Sequence, residues 1–206
     1  MIAIITGDII NSRNADAEHW LTVLKQALSK IGSTPKHWEI YRGDSFQVEI
    51  GIPENALWHA IRLKAAIKTI KGLDVRLAIG IGKKKHNADK ISESNGSAFI
   101  YSGEGFEQLE SMHQTLALFT SNPRFNERMN IYLKLALIAM DNWTPAVAEF
   151  VLLSLGHPTA SQTELGNILG IYQSSVSERQ TRSNLTAILQ MEALFKKELL
   201  LLEDLK

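Results

Sequence analysis

The sequence predicts an α+β protein in two parts: an antiparallel sheet with its helices over residues 1–122, then an all-α segment over 123–206. Three observations carry this reading. Short β-branched runs alternate with runs of helical period as far as Thr120. Composition then changes at Ser121-Asn122-Pro123. Beyond that point every apolar pattern has the helical period.

Ile2 to Thr6 is continuous, short and β-branched, which suits a strand buried on both faces. Gly7-Asp8 closes it, and Asn11-Ser12-Arg13-Asn14 reads as a polar loop. Asp16 is placed to cap a helix in which Trp20, Leu21, Leu24, Ala27, Leu28 and Ile31 recur at helical spacing, with Gly32 as its end. His37 to Tyr41 and Ser45 to Ile52 read as strands joined by Arg42-Gly43-Asp44, a turn in which Gly tolerates the backbone angles and Asp bonds locally. Pro53 opens a second helix along Ala56, Ala60, Leu63, Ile67 and Ile70, with Lys64, Lys68 and Lys71 off that face and Gly72 as its end. Val75 to Ile81 reads as a fourth strand.

Strand, helix, strand, strand, helix, strand is the ferredoxin-like pattern. In it the first and third strands are central antiparallel neighbours. The end of one lies beside the start of the other, so Asp8 and Asp44 are expected at the same sheet edge. Farther on, Lys83-Lys84-Lys85 reads as a solvated loop, Ala98 to Met112 as a helix and Thr115 to Thr120 as a fifth strand. The second part reads as helices over Glu127 to Met140, Pro145 to Leu155 and Gln162 to Leu169, with one long stretch from Gln173 onward.

Charge and composition narrow the classes. Lys and Arg total 22 against 22 Asp and Glu, and the balance holds locally, with 14 against 13 over residues 1–122. Neither part is a basic tail. There is no cysteine, which excludes disulfides, thiolate zinc sites and cysteine nucleophiles and fits a cytoplasmic protein. Met1 to Ile10 lacks a basic start and reads as a buried strand, not a leader. No apolar run is long enough for a membrane span. The histidines are scattered, and neither a dinucleotide fingerprint nor a GxxxxGK[ST] loop is present.

Two carboxylates at a strand end and a tight turn suit a hard cation. Mg²⁺ or Mn²⁺ would be held by Asp8, Asp44 and the Ile9 carbonyl and would bridge the phosphates of a nucleotide. The alternative for each residue alone is a strand-end cap and a turn former. The loop from Ile9 to Arg13 would offer backbone N–H groups, with Arg13 as a charge clamp. Asn11, Ser12, Arg13 and Arg42 are the candidate nucleotide-binding residues.

Gly7-Asp8-Ile9-Ile10 followed by Arg42-Gly43-Asp44-Ser45-Phe46 resembles the metal-binding pattern of class III nucleotide cyclases and GGDEF-type diguanylate cyclases, and Arg76 to Gly82 is similar to their next strand. Ser45 stands where the latter carry a second acid, and Ile40 where the former carry a base-reading lysine. The resemblance therefore implies nucleotide and metal binding without the groups for cyclisation. Over nearly its full length the chain is similar to the SatD family, through Ile5 to Ile9, Tyr41 to Gln47, Ala98-Phe99 and the C-terminal pattern in that order. That resemblance implies a regulatory protein.

Gln162 to Ser177 fits a helix-turn-helix, with a small residue at the fifth position (Gly166), Gly at the ninth (Gly170) and an apolar residue at the fifteenth (Val176). Its second helix would present Gln173, Ser174, Ser177, Arg179 and Arg182 to DNA. From Leu185 onward, apolar residues including Leu194, Leu199, Leu200, Leu201, Leu202 and Leu205 exceed one helix face, so the C-terminal helix is expected to form a homodimer or to pack on the rest of its own chain.

Overall fold

The computed structural model describes residues 1–203. Leu205, the last residue of the C-terminal apolar pattern, lies outside the described residues. The protein is α+β, with a five-stranded mixed sheet and, among the described residues, eight α-helices. In order these are β1 (Ile2–Ile10), α1 (Ala17–Ser29), β2 (Trp38–Tyr41), β3 (Ser45–Ile50), α2 (Ala56–Lys68), β4 (Asp74–Gly82), α3 (Ser97–Met112) and β5 (Leu116–Phe119). The helices α4 (Pro123–Met140), α5 (Pro145–Gly156), α6 (Gln162–Leu169), α7 (Gln173–Ser183) and α8 (Leu185–Glu203) follow.

The strand order is β2-β3-β1-β4-β5. The first four strands are antiparallel to their neighbours, but β5 runs parallel to β4. The sheet is therefore mixed, not antiparallel throughout as expected. The cause is α3, which returns the chain to the sheet end where β4 began, so β5 must run in the same direction.

Alternation along the strands builds two faces. Ala3, Ile5 and Ile9 of β1, Phe46 and Val48 of β3, and Val75, Leu77 and Ile79 of β4 are buried in one cluster with Leu24, Leu28, Leu57 and Ile61 of α1 and α2. Ile4, Ala78 and Ala117 turn the other way, where α3 covers them with Ala98 and Leu109. At Gly7 the strands approach so closely that an added Cβ would lie 2.7 Å from Leu77 Cδ2.

The first cluster continues past residue 122. Phe125, Met129 and Leu133 of α4, Phe150 and Val151 of α5, and Phe195 and Leu199 of α8 belong to it, so the sheet and the C-terminal helices share one core. The sequence boundary coincides with a helix start, since the Asn122 side chain accepts from the Phe125 N–H at 3.0 Å and Pro123 follows. Hence α4 begins four residues earlier than its apolar period suggests.

Several local expectations hold. Asp16 caps α1, accepting from the Glu18 N–H. Gly170 ends α6 with φ 66°. An added Cβ at Gly166 would lie 2.8 Å from the Ile171 carbonyl oxygen, and Val176 is fully buried between the helices. Three expectations fail. Helix α1 stops at Ser29, and Gly32 instead offers its carbonyl to the Trp38 indole N–H at 2.9 Å. The stretch from Gln173 is two helices, broken at Asn184 with φ 51°, where the Trp143 indole N–H donates to the Ser183 carbonyl at 2.9 Å.

The third concerns Lys64 and Lys68, which are buried although they lie off the apolar period of α2. The Lys64 ammonium is 2.7 Å from Asp74 Oδ1 and 2.7 Å from Asp141 Oδ1, and donates to Thr115 Oγ1 at 3.0 Å. Lys68 donates to Asp74 Oδ2 at 3.0 Å and to the Asp141 carbonyl at 2.7 Å. Together these bonds tie α2, the start of β4 and the end of α4. Carboxylates supplied from distant parts of the chain make the burial of two ammonium groups tolerable.

Candidate functional site

Strand pairing brings the two Gly-Asp segments together. Asp8 lies opposite Ser45 in the β1–β3 ladder, and the Ile9 N–H donates to the Asp44 carbonyl at 3.3 Å. Asp8, Ile9, Asn11, Ser12, Arg13 and Asp44 line one open cleft with Arg76. The loop at its rim starts in a left-handed turn at Asn11, φ 63°, whose side-chain amide donates to the Gly72 carbonyl. That bond pins the loop to the start of β4.

Each carboxylate has a partner. Arg76 lies opposite Asp8 in the β1–β4 ladder, with its Nε donating to Oδ1 at 2.9 Å and its Nη2 to Oδ2 at 2.5 Å. The guanidinium also lies 5.7 Å from the centre of the Phe106 ring of α3. Hydrogen bonding to Asp8, and then the charges of Asp8, Glu110 and Asp44, raise the Arg76 pKa above its ordinary value against the effect of burial. Asp44 Oδ2 accepts from the Ser12 hydroxyl at 2.5 Å. Ile9 buries its side chain in the core, which leaves only its backbone for the cleft.

Arg42 stands apart. Its side chain is exposed, its backbone is left-handed at φ 52°, and among the described residues it is not part of the cleft lining. With Gly43 at φ 90° it forms the tight hairpin turn. Arg76 is the cleft residue that sequence reasoning missed. The one available signal was the register of β1 on β4, which pairs residues 8 and 76.

The oxygen donors fit a hard dication in kind: two carboxylates, the Ile9 carbonyl and the Ser12 hydroxyl. Arg76 occupies both oxygens of Asp8, so any cation there competes with a guanidinium.

In the C-terminal part, Gln173, Ser174 and Arg182 are exposed on α7, and Ser177 is half-buried. Arg179 does not join them. It points at α5, where its Nη1 donates to Glu149 at 2.9 Å. Arg182 pairs with Glu178 one turn earlier at 3.2 Å, and the Gln173 amide donates to Gln162 of α6.

No protein family and no curated protein matches the chain. Among the described residues no helix is long and apolar enough to cross a membrane.

Proposed function

We propose that this protein is a cytoplasmic regulator of the SatD type, in which a ferredoxin-like sheet binds a metal-bound nucleotide and a helix-turn-helix formed by α6 and α7 binds DNA. The observation that carries the reading is the single cleft lined by both Asp8 and Asp44 with the Asn11 to Arg13 loop. The antiparallel order β2-β3-β1-β4 supports the ferredoxin-like assignment. Gly166, the left-handed Gly170 and the buried Val176 support the helix-turn-helix.

Charge explains why a metal belongs to this reading. The charged residues lining the cleft, Asp8, Asp44, Arg13 and Arg76, balance, so the cleft alone has little attraction for a polyphosphate. Mg²⁺ or Mn²⁺, when bound by Asp8, Asp44 and the Ile9 carbonyl, supplies the missing positive charge. Arg76 then releases Asp8 and offers its planar fork to a phosphate. Ser12 releases Asp44, and Arg13 clamps from the exposed rim. Ser45 and Ile40 supply neither a second acid nor a base reader, so the cleft binds without cyclising.

The experiment is a thermal-shift series with MgCl₂ or MnCl₂ and ATP or GTP. Metal and nucleotide together should raise Tm in the wild type, and Asp44→Asn should abolish the rise. No rise with any pair overturns the reading. Cyclic nucleotide formed over many turnovers and lost in Asp8→Asn would make the protein an enzyme instead.

A second reading has α6 and α7 meeting a protein. It is favoured by Tyr172, 85% exposed, and Ile168, 56% exposed, and by ion pairs that occupy both arginines of α7. Anisotropy with duplex DNA across a salt series separates the two. DNA binding requires affinity that falls with salt.

A further inference from the structure

Away from the acid cleft, α1, α2 and α5 line a partly open pocket of about 150 Å³. Its walls are largely apolar, with Ala27 from α1, Ile31 from the turn that follows it, Trp58 from α2 and Leu152 from α5. Lys30, His59 and Arg62 also line it, and no carboxylate is found among the described lining residues. The Trp58 ring organises this wall. The Arg62 guanidinium carbon lies 4.8 Å from its centre, and the His59 ring meets it edge-on at 5.0 Å.

Arg62 differs from most of the other buried or half-buried cations, and unlike Lys36, which donates to Asn87 Oδ1 and the Ala88 carbonyl, it has no oxygen partner among the described residues. Lys64, Lys68, Arg76 and Lys84 each meet a carboxylate. Among the described residues neither Arg62 nor Lys30 has an ion-pair partner. Burial lowers the Arg62 pKa, the mark of a charge removed from water without a counter-charge. Contact with Trp58 offsets part of that cost. The neighbouring imidazole registers the same positive field. His59 is lowered to about 4 by burial, then by Arg62 on its own helix and Lys196 on α8. Lys196 is itself 2.8 Å from Glu192, so part of its charge is already compensated.

We propose that this cavity binds a small organic anion, a compact apolar body carrying one carboxylate. The volume matches a benzene-sized group, and apolar walls of that size favour such a body over water. Arg62 offers a planar fork that matches a carboxylate. Lys30, exposed at the rim, adds a second positive charge. The site shares no lining residue with the acid cleft, so it stands whether or not that cleft binds nucleotide. One wall belongs to α5, which also carries Glu149, the partner of Arg179 on α7.

The test is titration of the full chain with benzoate, followed by NMR of the Trp58 indole and the His59 imidazole. Benzyl alcohol, of the same shape without the charge, and inorganic phosphate, charged without the apolar body, are the controls. Benzoate should bind saturably and raise the His59 midpoint by about one unit, because a bound anion favours imidazolium. Both controls should bind at least about tenfold more weakly. Arg62→Gln should weaken benzoate about tenfold, and Ala27→Leu, which fills the cavity and keeps every charge, should abolish binding. Lys30→Gln lies on the exposed rim and should weaken binding about threefold without disturbing the core. Absence of saturable shifts, equal binding of either control, or unchanged binding in Ala27→Leu or Lys30→Gln overturns the proposal.

Discussion

Arg76 grips Asp8 through both carboxylate oxygens, at 2.9 Å and 2.5 Å, from the strand position directly opposite. The guanidinium thus holds the place that a cation needs. Removing it in Arg76→Gln should strengthen Mn²⁺ binding without nucleotide about fivefold, the equivalent of about 1 kcal/mol for a partly exposed pair. The same change should weaken nucleotide binding in the presence of Mn²⁺, since a phosphate contact is lost. Electron paramagnetic resonance of free Mn²⁺ measures the first, and calorimetric titration with the Mn²⁺-nucleotide complex the second. Weaker Mn²⁺ binding in the variant would mean that Arg76 supports the acid pair instead of competing for it.

Lys64 is fully buried, and its ammonium joins Asp74 to Asp141. Lys64→Met keeps the length of the side chain but takes the ammonium from both carboxylates, leaving Asp74 with Lys68 and Asp141 with the Thr115 hydroxyl. Asp141 is partly exposed and can rehydrate, so a loss of about 3 kcal/mol is expected, at the lower end for a broken buried pair. Urea denaturation reads it. A loss below about 1 kcal/mol would show that water replaces the ammonium.

His59 sets a pH dependence of stability. Its folded pKa is about 4 against an ordinary value of 6.5. Between those values the unfolded chain takes up a proton that the folded protein refuses. Stability should therefore fall as pH drops from about 6.5 toward 4 and show no further change from this group below that. Denaturation midpoints at several pH values should show a shallower slope in His59→Gln. An unchanged slope assigns the effect to other groups.

The C-terminal helix divides its apolar residues. Phe195 and Leu199 are buried within the chain, whereas Leu200 and Leu201 are half-exposed. Beside it, α4 leaves Leu135 60% and Ile138 67% exposed, and an uncharged groove runs between the two helices. Apolar surface of this extent suits burial against a second copy. Light scattering at micromolar concentration should give twice the chain mass. Leu135→Glu combined with Ile138→Glu should return a folded monomer. A monomeric wild type would remove the dimer and weaken the case for DNA binding, because two arginines per chain already engaged by glutamates neutralise few phosphates.

What the sequence determined by itself is local. The helix cap at Asp16, the left-handed end at Gly170 and the hairpin turn at Arg42-Gly43 each depend on a few neighbouring residues, so their chemistry is visible in the order of amino acids. The meeting of Asp8 with Asp44 was legible too, because strand order alone brings those two strand ends together. Tertiary structure decided what depends on partners distant in the chain. Arg76 on Asp8, Lys64 between Asp74 and Asp141, Arg179 on Glu149 and Arg62, without an ion-pair partner among the described residues, are placed by packing, and none of these settings is visible in the side chain alone. The parallel β5 and the break at Asn184 are of the same kind, one imposed by the course of α3 and the other associated with a bond from Trp143 to Ser183. Burial and counter-charge are properties of a neighbourhood, and only the folded chain supplies one.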